Sequence, residues 1–255
     1  MMFADDGLLI AQSLGDIRKL IKRVNEVSND LGMKINKEKS MAIKFNHDGV
    51  VNCIEGIKLV NSIKYLGVTI SGSRNCFKLH KENKLKTSKR MSNLTYSIVS
   101  NSCNKVMIGK TYWESVVLPS VLYGTSVITW TKSELKELER EENKVCRFVL
   151  GGPGHVAVAA LRAEMGMKSL VSRDMKTKLK YVKNVMGRDE VSLTKKVFKD
   201  MYDKDKDSLI KLIREYMSEI EINDIEELTS MSDMTISRKI DEVDERKWKL
   251  SLIHI

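Results

Sequence analysis

The first third of the chain mixes strand-like and helix-like spacing of apolar residues. Asp5-Asp6-Gly7 is a turn-forming cluster between the apolar arms 3–4 and 8–10, which predicts a β-hairpin. Residues 16–31 carry apolar side chains at helical spacing and predict a helix that is capped by Asp16 and stopped by Gly32. Stretches rich in Val and Ile follow, broken by Asn, Asp and Gly. They predict short strands over 40–45, 50–54 and 57–70.

The pattern becomes helical after Gly72 and stays so to the C-terminus, for example over 133–150 and 169–186. The plainest internal linker is the Gly-Gly-Pro-Gly cluster at 151–154. We therefore predict an α+β fold that is mostly α, with a β-containing segment followed by helices. An amphipathic stripe within 205–225 is interpreted either as a partner surface or, more economically, as part of the core.

Composition favours a globular protein that can bury a core, since 42% of the 255 residues are hydrophobic and 31% are charged. No apolar run reaches the roughly 18 residues of a membrane span. The N-terminal stretch has aspartates where a signal peptide would be basic and then apolar. We expect an intracellular protein without a membrane partner. Four scattered cysteines and four scattered histidines favour reduced core thiols over a metal site.

The positive charge is concentrated in the middle of the chain. Residues 74–170 hold 16 basic and 8 acidic side chains, whereas residues 171–255 hold 18 of each. The segment from 78 to 90 contains one acid, Glu82, and six cations, which are Lys78, Lys81, Lys84, Lys86, Lys89 and Arg90. A solvated helix face is the common explanation of such a run. The missing acids favour contact with nucleic-acid phosphates instead.

Asp5 and Asp6 are adjacent carboxylates at a predicted hairpin tip, where they repel each other and cap no helix. One interpretation is a plain acidic turn. The other is a site for a divalent cation, because hard carboxylate oxygens suit Mg²⁺. In two-metal phosphoryl transfer such ions activate the attacking hydroxyl and stabilise the leaving oxygen.

Three segments resemble motifs of reverse transcriptases, and they occur in the family's order. Residues 3–10, Phe-Ala-Asp-Asp-Gly-Leu-Leu-Ile, resemble the aromatic-Ala-Asp-Asp hairpin. Residues 32–40, Gly-Met-Lys-Ile-Asn-Lys-Glu-Lys-Ser, resemble the Gly-Leu-x-Ile-Asn-x-x-Lys-Thr segment, with Met33 and Ser40 as mild departures. Residues 63–68, Ile-Lys-Tyr-Leu-Gly-Val, resemble the Tyr-Leu-Gly hairpin that grips the primer strand.

The helical part is similar to the thumb of non-LTR (LINE-like) retrotransposon reverse transcriptases. The similar segments are 118–124, 138–140 with 147–151, and 160–166. In many relatives an acid and a Trp follow the Tyr-Gly more closely than Ser126 and Trp130 do here. The resemblance implies the end of a palm over 1–73, a helical thumb over 74–170 and a helical connector over 171–255.

The resemblance also implies roles for matching residues near the metal. Asp5 would bind Mg²⁺ directly, and Asp6 would support the site from beside it. Lys39 aligns with a lysine proposed to protonate the departing pyrophosphate. The alternative for Lys39 is an exposed loop lysine.

The remaining implied roles concern the primer and template. Tyr65, Leu66 and Gly67 would place the primer end, with Gly67 permitting close backbone approach. Tyr65 is alternatively a core aromatic. The six cations between 78 and 90 would follow the template–primer backbone.

The implied parent activity is RNA-directed DNA polymerisation, with Mg²⁺ as cofactor. Its partners would be an RNA template, a DNA primer and deoxynucleotides, and it would act in the nucleus if it behaves as LINE-like elements do. The family's other metal-binding aspartate and its fingers lie upstream of the Asp-Asp hairpin. We therefore expect a truncated element that does not polymerise by itself. The alternative is a non-catalytic helical nucleic-acid-binding protein derived from such an element.

Overall fold

The computed structural model describes residues 2–3, 5–45 and 53–253, with side chains described over 5–45 and 53–249. Over the described residues the structure is 62% helix and 7% strand, which confirms a mostly helical fold with small sheets. It divides into two compact units, Met1–His80 and Lys81–Ile255. The boundaries predicted at 73/74 and 170/171 stay predictions. In the part of the chain that is described, no helix is both long and apolar enough to cross a bilayer.

The described residues of the first unit form three small sheets and one complete helix. The strands are β1 (Met2–Phe3) paired with β2 (Asp6–Gly7), then β3 (Met41–Ala42), β4 (Cys53–Ile54) and β5 (Ile57–Leu59) in the order β3-β5-β4, and the hairpin of β6 (Ser62–Tyr65) with β7 (Val68–Ser71). The β3–β5 pair is parallel and the other pairs are antiparallel. Helix α1 (Leu14–Asp30) lies between β2 and β3 in the chain.

The elements of this unit start and stop at other residues than predicted. Phe3 pairs with Asp6, so the first hairpin turns earlier than expected, and the predicted arm 8–10 lies outside β2. Helix α1 is capped by Ser13, because its hydroxyl accepts the Asp16 N–H at 3.1 Å. The predicted strand over 57–70 is broken into three strands. Residues 50–52 of another predicted strand lie outside the described residues.

The core of the first unit is small. Among its described residues the buried apolar ones are Ile21, Ile54 and Ile57, with partly buried neighbours from α1 and the second sheet. Ile10 is 71% exposed and Leu31 is 66% exposed. Such a core supplies little of the apolar burial that offsets chain entropy.

The second unit is entirely helical over its described residues. Its helices are α2 (Lys78–Ser100, which starts in the first unit), α3 (Lys105–Tyr112), a π-helical turn (Trp113–Val117), α4 (Leu118–Val121), α5 (Lys132–Leu150), α6 (Val158–Met165), α7 (Leu170–Met186), α8 (Leu193–Lys204), α9 (Ser208–Glu219), α10 (Ile225–Ser230) and α11 (Asp233–Ile253). A capping box of Thr131 and Glu134 starts α5, and Gly151 at φ 62° ends it. The predicted linker at 151–154 joins α5 to α6 inside this unit.

The π-helical turn lies just before a proline. In the turn the Leu118 N–H bonds the Trp113 carbonyl five residues back, which widens the helix. Pro119 follows in the first turn of α4, where it has no N–H to offer the carbonyl four residues before it.

Two apolar clusters form the core of the second unit. The first is built from α2 to α7, around Trp113, Leu138 and Cys146, and the second from α7 to α11. Leu209, Ile210, Ile213, Met217 and Ile220 are buried in the second cluster, which confirms the core interpretation of the stripe within 205–225.

None of the four cysteines forms a disulfide bond, but they do not share one environment. Cys146 is buried, and burial raises the pKa of its thiol to about 12. Cys53 and Cys103 are exposed, so the expectation of core thiols is wrong for these two. Neither position belongs to an apolar helix face that would bury it.

Limited proteolysis should therefore cut the first unit before the second. We expect early cleavage within residues 5–73 and a resistant helical fragment that starts close to Lys81, since three buried residues protect less than two large clusters. Mass spectrometry of the fragments reads this directly. Protection of the first unit as long-lived as that of the second would contradict the expectation.

Candidate nucleic-acid interface

The six cations between 78 and 90 do not share one environment. Lys81 is 5% exposed, and its ammonium donates to Glu134 Oε2 at 2.8 Å and to the Thr129 carbonyl at 3.3 Å. Lys84 is partly buried and donates to the Ser120 carbonyl at 2.7 Å. Both ammonium groups therefore bond α2 to other parts of the second unit and are not free to bind a phosphate.

Lys78, Lys86, Lys89 and Arg90 are exposed. Lys78 belongs to the first unit, and the other three lie on the part of α2 in the second unit. At about 100° of rotation per residue, Lys86, Lys89 and Arg90 fall within about 100° of the helix circumference. Of the six predicted cations, three therefore remain within the second unit as exposed charges on one side of α2.

The sequence could not distinguish the inward-facing lysines of α2 from the exposed ones, because several residues on the inner face of this helix are polar as well. Ser88, Ser92 and Thr95 are buried along with Lys81. The Ser92 hydroxyl donates to the Ser88 carbonyl at 3.1 Å, and the Thr95 hydroxyl donates to the Met91 carbonyl at 2.7 Å. Apolar residues of α2 also lie on both sides of the helix, since Val99 is buried in the first cluster whereas Leu94 and Ile98 are exposed, so the apolar spacing does not mark which lysines turn inward.

Helix α5 adds cations that the sequence interpretation missed. Lys136, Arg140 and Lys144 are exposed at positions i, i+4 and i+8, which place them on one side of a helix. Lys89 forms an ion pair with Glu137 of α5 at 2.9 Å, so the two helices lie side by side. We call Lys86, Lys89, Arg90, Lys136, Arg140 and Lys144 together the basic face. The four-residue spacing on α5 is the signal that could have found these three.

The ion pairs around this face favour the charged forms of Lys89 and Glu134. The hydrogen bond and charge of Glu137 raise the pKa of Lys89. Burial acts to raise the pKa of Glu134, but its bonds with Lys81 and Thr131 outweigh burial and lower that pKa. Lys144 is paired with Glu141 at 2.8 Å. Four of the six cations on the basic face have no ion pair among the described residues.

The first unit holds the residues predicted to act on a metal. Asp5 and Asp6 are exposed at the β1–β2 hairpin, and Asp6 belongs to β2. Lys39 is exposed on a turn where Asn36 Oδ1 accepts its N–H at 3.1 Å. Between described residues, no hydrogen bond or ion pair joins Lys39 to either aspartate. In the same part of the chain, no group of three His, Cys, Asp or Glu side chains could hold a metal ion.

The candidate primer-contacting residues form the tip of the β6–β7 hairpin. Tyr65 pairs with Val68, and the two-residue loop between them has Leu66 at φ 46° and Gly67 at φ 81°. Two positive φ angles define a type I′ turn, where Asn or Gly is the usual first residue. Leu66 is an L-residue with a bulky side chain in the left-handed region, which costs roughly 1–2 kcal/mol. Its side chain is exposed, and Tyr65 is half-buried.

Comparisons of the chain with models of protein families, with curated proteins and with solved structures find no match.

The two environments of the α2 lysines predict different effects of the same substitution. We expect Lys81→Met to lower the free energy of unfolding by about 1–3 kcal/mol, because Glu134 and the Thr129 carbonyl lose a buried partner. Lys86→Met should change it by less than about 0.5 kcal/mol, as exposed substitutions do. Urea unfolding followed by circular dichroism measures both. Equal effects would contradict the placement of Lys81 inside and Lys86 outside.

Proposed function

We propose that this chain is part of a LINE-like reverse transcriptase, and that the activity residing in its helical unit is binding of the template–primer duplex through the basic face. The observation that carries the proposal is the exposure of six cations on two adjoining helices. Two other lysines of α2, Lys81 and Lys84, instead donate to groups inside the protein. The order of the resembling segments in the sequence supports the family.

The chemistry of the basic face suits phosphates better than base edges. Its lysines are flexible point charges, and its arginines can bond phosphate oxygens through two N–H groups. Such contacts hold a duplex in position without reading its sequence. Binding of this kind releases counterions, so the affinity should fall steeply as salt rises.

The first unit would contribute the metal and primer contacts of the parent enzyme. Asp5 would hold Mg²⁺, with Asp6 beside it, and their exposed carboxylate oxygens are ligands that this ion prefers. When bound, the ion would supply charge stabilisation for nucleotidyl transfer. Lys39 would hold a proton for the leaving group.

The β6–β7 hairpin tip would contact the primer end through Tyr65, Leu66 and Gly67. The left-handed conformation of Leu66 supports this role, because strained residues persist where their side chains serve a function. An asparagine would form the same turn at lower cost but would lack the exposed apolar side chain.

A second candidate is a non-catalytic nucleic-acid-binding protein of the same descent. It is favoured by the division of the chain, because the basic face and the two large cores all lie in the second unit, whereas Asp5 and Asp6 lie in the first. Both candidates use the basic face. They differ in whether Asp5 takes part in a metal-dependent activity, which Asp5→Asn would then abolish.

The basic face is tested by neutralising three of its cations together. We expect the variant Lys86→Gln, Lys89→Gln, Arg90→Gln to bind an RNA–DNA duplex more weakly than the unmodified chain. The slope of log affinity against log salt should flatten by roughly one unit for each phosphate that the variant no longer neutralises. Fluorescence anisotropy with a labelled duplex, over a series of salt concentrations, measures both quantities.

The matched control is Lys196→Gln, Lys199→Gln, Lys211→Gln on α8 and α9. It removes the same charge from exposed positions, and each set contains one lysine in a surface ion pair, Lys89 with Glu137 and Lys199 with Glu190. Equal losses of affinity in the two variants would show a global charge effect and contradict the basic face.

A further inference from the structure

Two lysines bond the backbone of one irregular segment, and a third bonds the backbone just before it. The segment covers residues 122–131, between α4 and α5. Lys81 of α2 donates to the Thr129 carbonyl at 3.3 Å, and Lys178 of α7 donates to the Thr125 carbonyl at 2.8 Å. Lys84 of α2 bonds the carbonyl of Ser120, at the end of α4 just before the segment. The segment is thereby fixed to α2 from one side and to α7 from the other.

The contact with α7 is part of a buried polar network. Asp174 and Lys178 are one turn apart on α7, both fully buried, and they form an ion pair. The Thr125 hydroxyl donates to Asp174 Oδ1 at 2.6 Å and accepts the Trp130 indole N–H at 2.9 Å. The Tyr216 hydroxyl of α9 donates to Asp174 Oδ2 at 2.8 Å. Burial lowers the pKa of Lys178, and Asp174 opposes that shift.

This network is costly to bury, so its presence needs a reason other than stability. Removing two charges from water costs about as much as their attraction returns, and apolar residues of similar size often hold helices together equally well. Apolar residues cannot bond a carbonyl or a hydroxyl. What Asp174 and Lys178 add is therefore a fixed position for Thr125 and the segment around it.

The inner face of α2 mixes polar and apolar side chains. Val99 is buried in the first cluster and Leu85, Met91 and Tyr96 pack against it, but Ser88, Ser92 and Thr95 are buried between them. The apolar contacts along this face are therefore interrupted. The bonds of Lys81 and Lys84 to Thr129 and Ser120 add fixed points to the rotation of α2.

We propose that Asp174 and Lys178 are positioning residues for the basic face. They fix segment 122–131, and the segment fixes the rotation of α2 through Lys81, so that Lys86 and Arg90 face solvent beside α5. The effect on binding rests on the proposed function, whereas the effect on the segment and on α2 does not. Helices α7 to α11 contribute no cation to the basic face, but through Asp174 and Lys178 they would fix its position.

The test compares hydrogen exchange in the unbound full chain with its affinity for an RNA–DNA duplex. Asp174→Asn, Lys178→Met removes both charges together, so that no unpaired charge is left inside. We expect amide exchange to rise at least about tenfold in 122–131 and in the first half of α2, with smaller changes in α9 and α10. Duplex affinity should fall about threefold to tenfold with an unchanged salt slope, because no surface cation is removed.

Tyr216→Phe is the matched control, because it removes the α9 contact with Asp174 and leaves Lys178 bonded to Thr125. It should leave exchange in 122–131 unchanged. If the double variant does not fold, Thr125→Val takes its place: it removes the hydroxyl of the segment and keeps the ion pair, and the same local rise is expected.

Unchanged exchange in 122–131, or a uniform rise over the whole helical unit, would overturn the proposal. A local rise together with unchanged duplex affinity would overturn the link to the basic face. If the unmodified chain binds no duplex, the proposed function fails, and the exchange pattern still decides whether Asp174 and Lys178 position α2.

Discussion

A charged ammonium inside a protein must find hydrogen-bond acceptors, since an unpaired one is too costly to bury. Lys81 and Lys178 satisfy this constraint with backbone carbonyls of residues 122–131 and with one carboxylate each, Glu134 and Asp174. Each bond holds both partners, so the carbonyls of Thr129 and Thr125 are held in place together with the ammonium groups that donate to them. These bonds join α2 and α7 to the segment that precedes α5.

The same constraint changes the meaning of the net charge. The chain carries a formal charge of +10, and its middle part holds most of the excess. Part of that excess is internal, because Lys81 is buried and Lys84 is partly buried. A nucleic-acid surface is therefore better defined by where each ammonium lies than by counting lysines. On this basis α5 contributes three cations to the proposed surface, although its sequence is rich in acids.

Several elements could be predicted from the sequence because their signals are local. Thr131 with Glu134 marks the start of α5 and Gly151 marks its end, and both act within a few residues of the chain. The stripe from Leu209 to Ile220 is apolar at helical spacing, so its burial follows from the sequence as well. The short strands of the first unit are less predictable, since two-residue pairings depend on neighbours far along the chain.

The candidate site is less predictable still, for physical reasons that individual residues show. Asp174 and Lys178 have the i, i+4 spacing of an ordinary surface ion pair, yet both are fully buried. On α2, polar residues line both the buried and the exposed face, so periodicity assigns neither. Burial at these positions is decided by tertiary contacts with 122–131 and α5. The roles of Asp5, Lys39 and Tyr65 rest on the resemblance.

The central claim is that a nucleic acid lies on the basic face, and lysine acylation read by mass spectrometry tests it most directly. The reactivity of each lysine is compared with and without an RNA–DNA duplex at low salt. The account predicts that Lys86, Lys136 and Lys144 lose reactivity on binding, that exposed Lys196 and Lys211 keep theirs, and that buried Lys81 reacts in neither state. Protection spread evenly over all exposed lysines, or confined to α8 and α9, would contradict it.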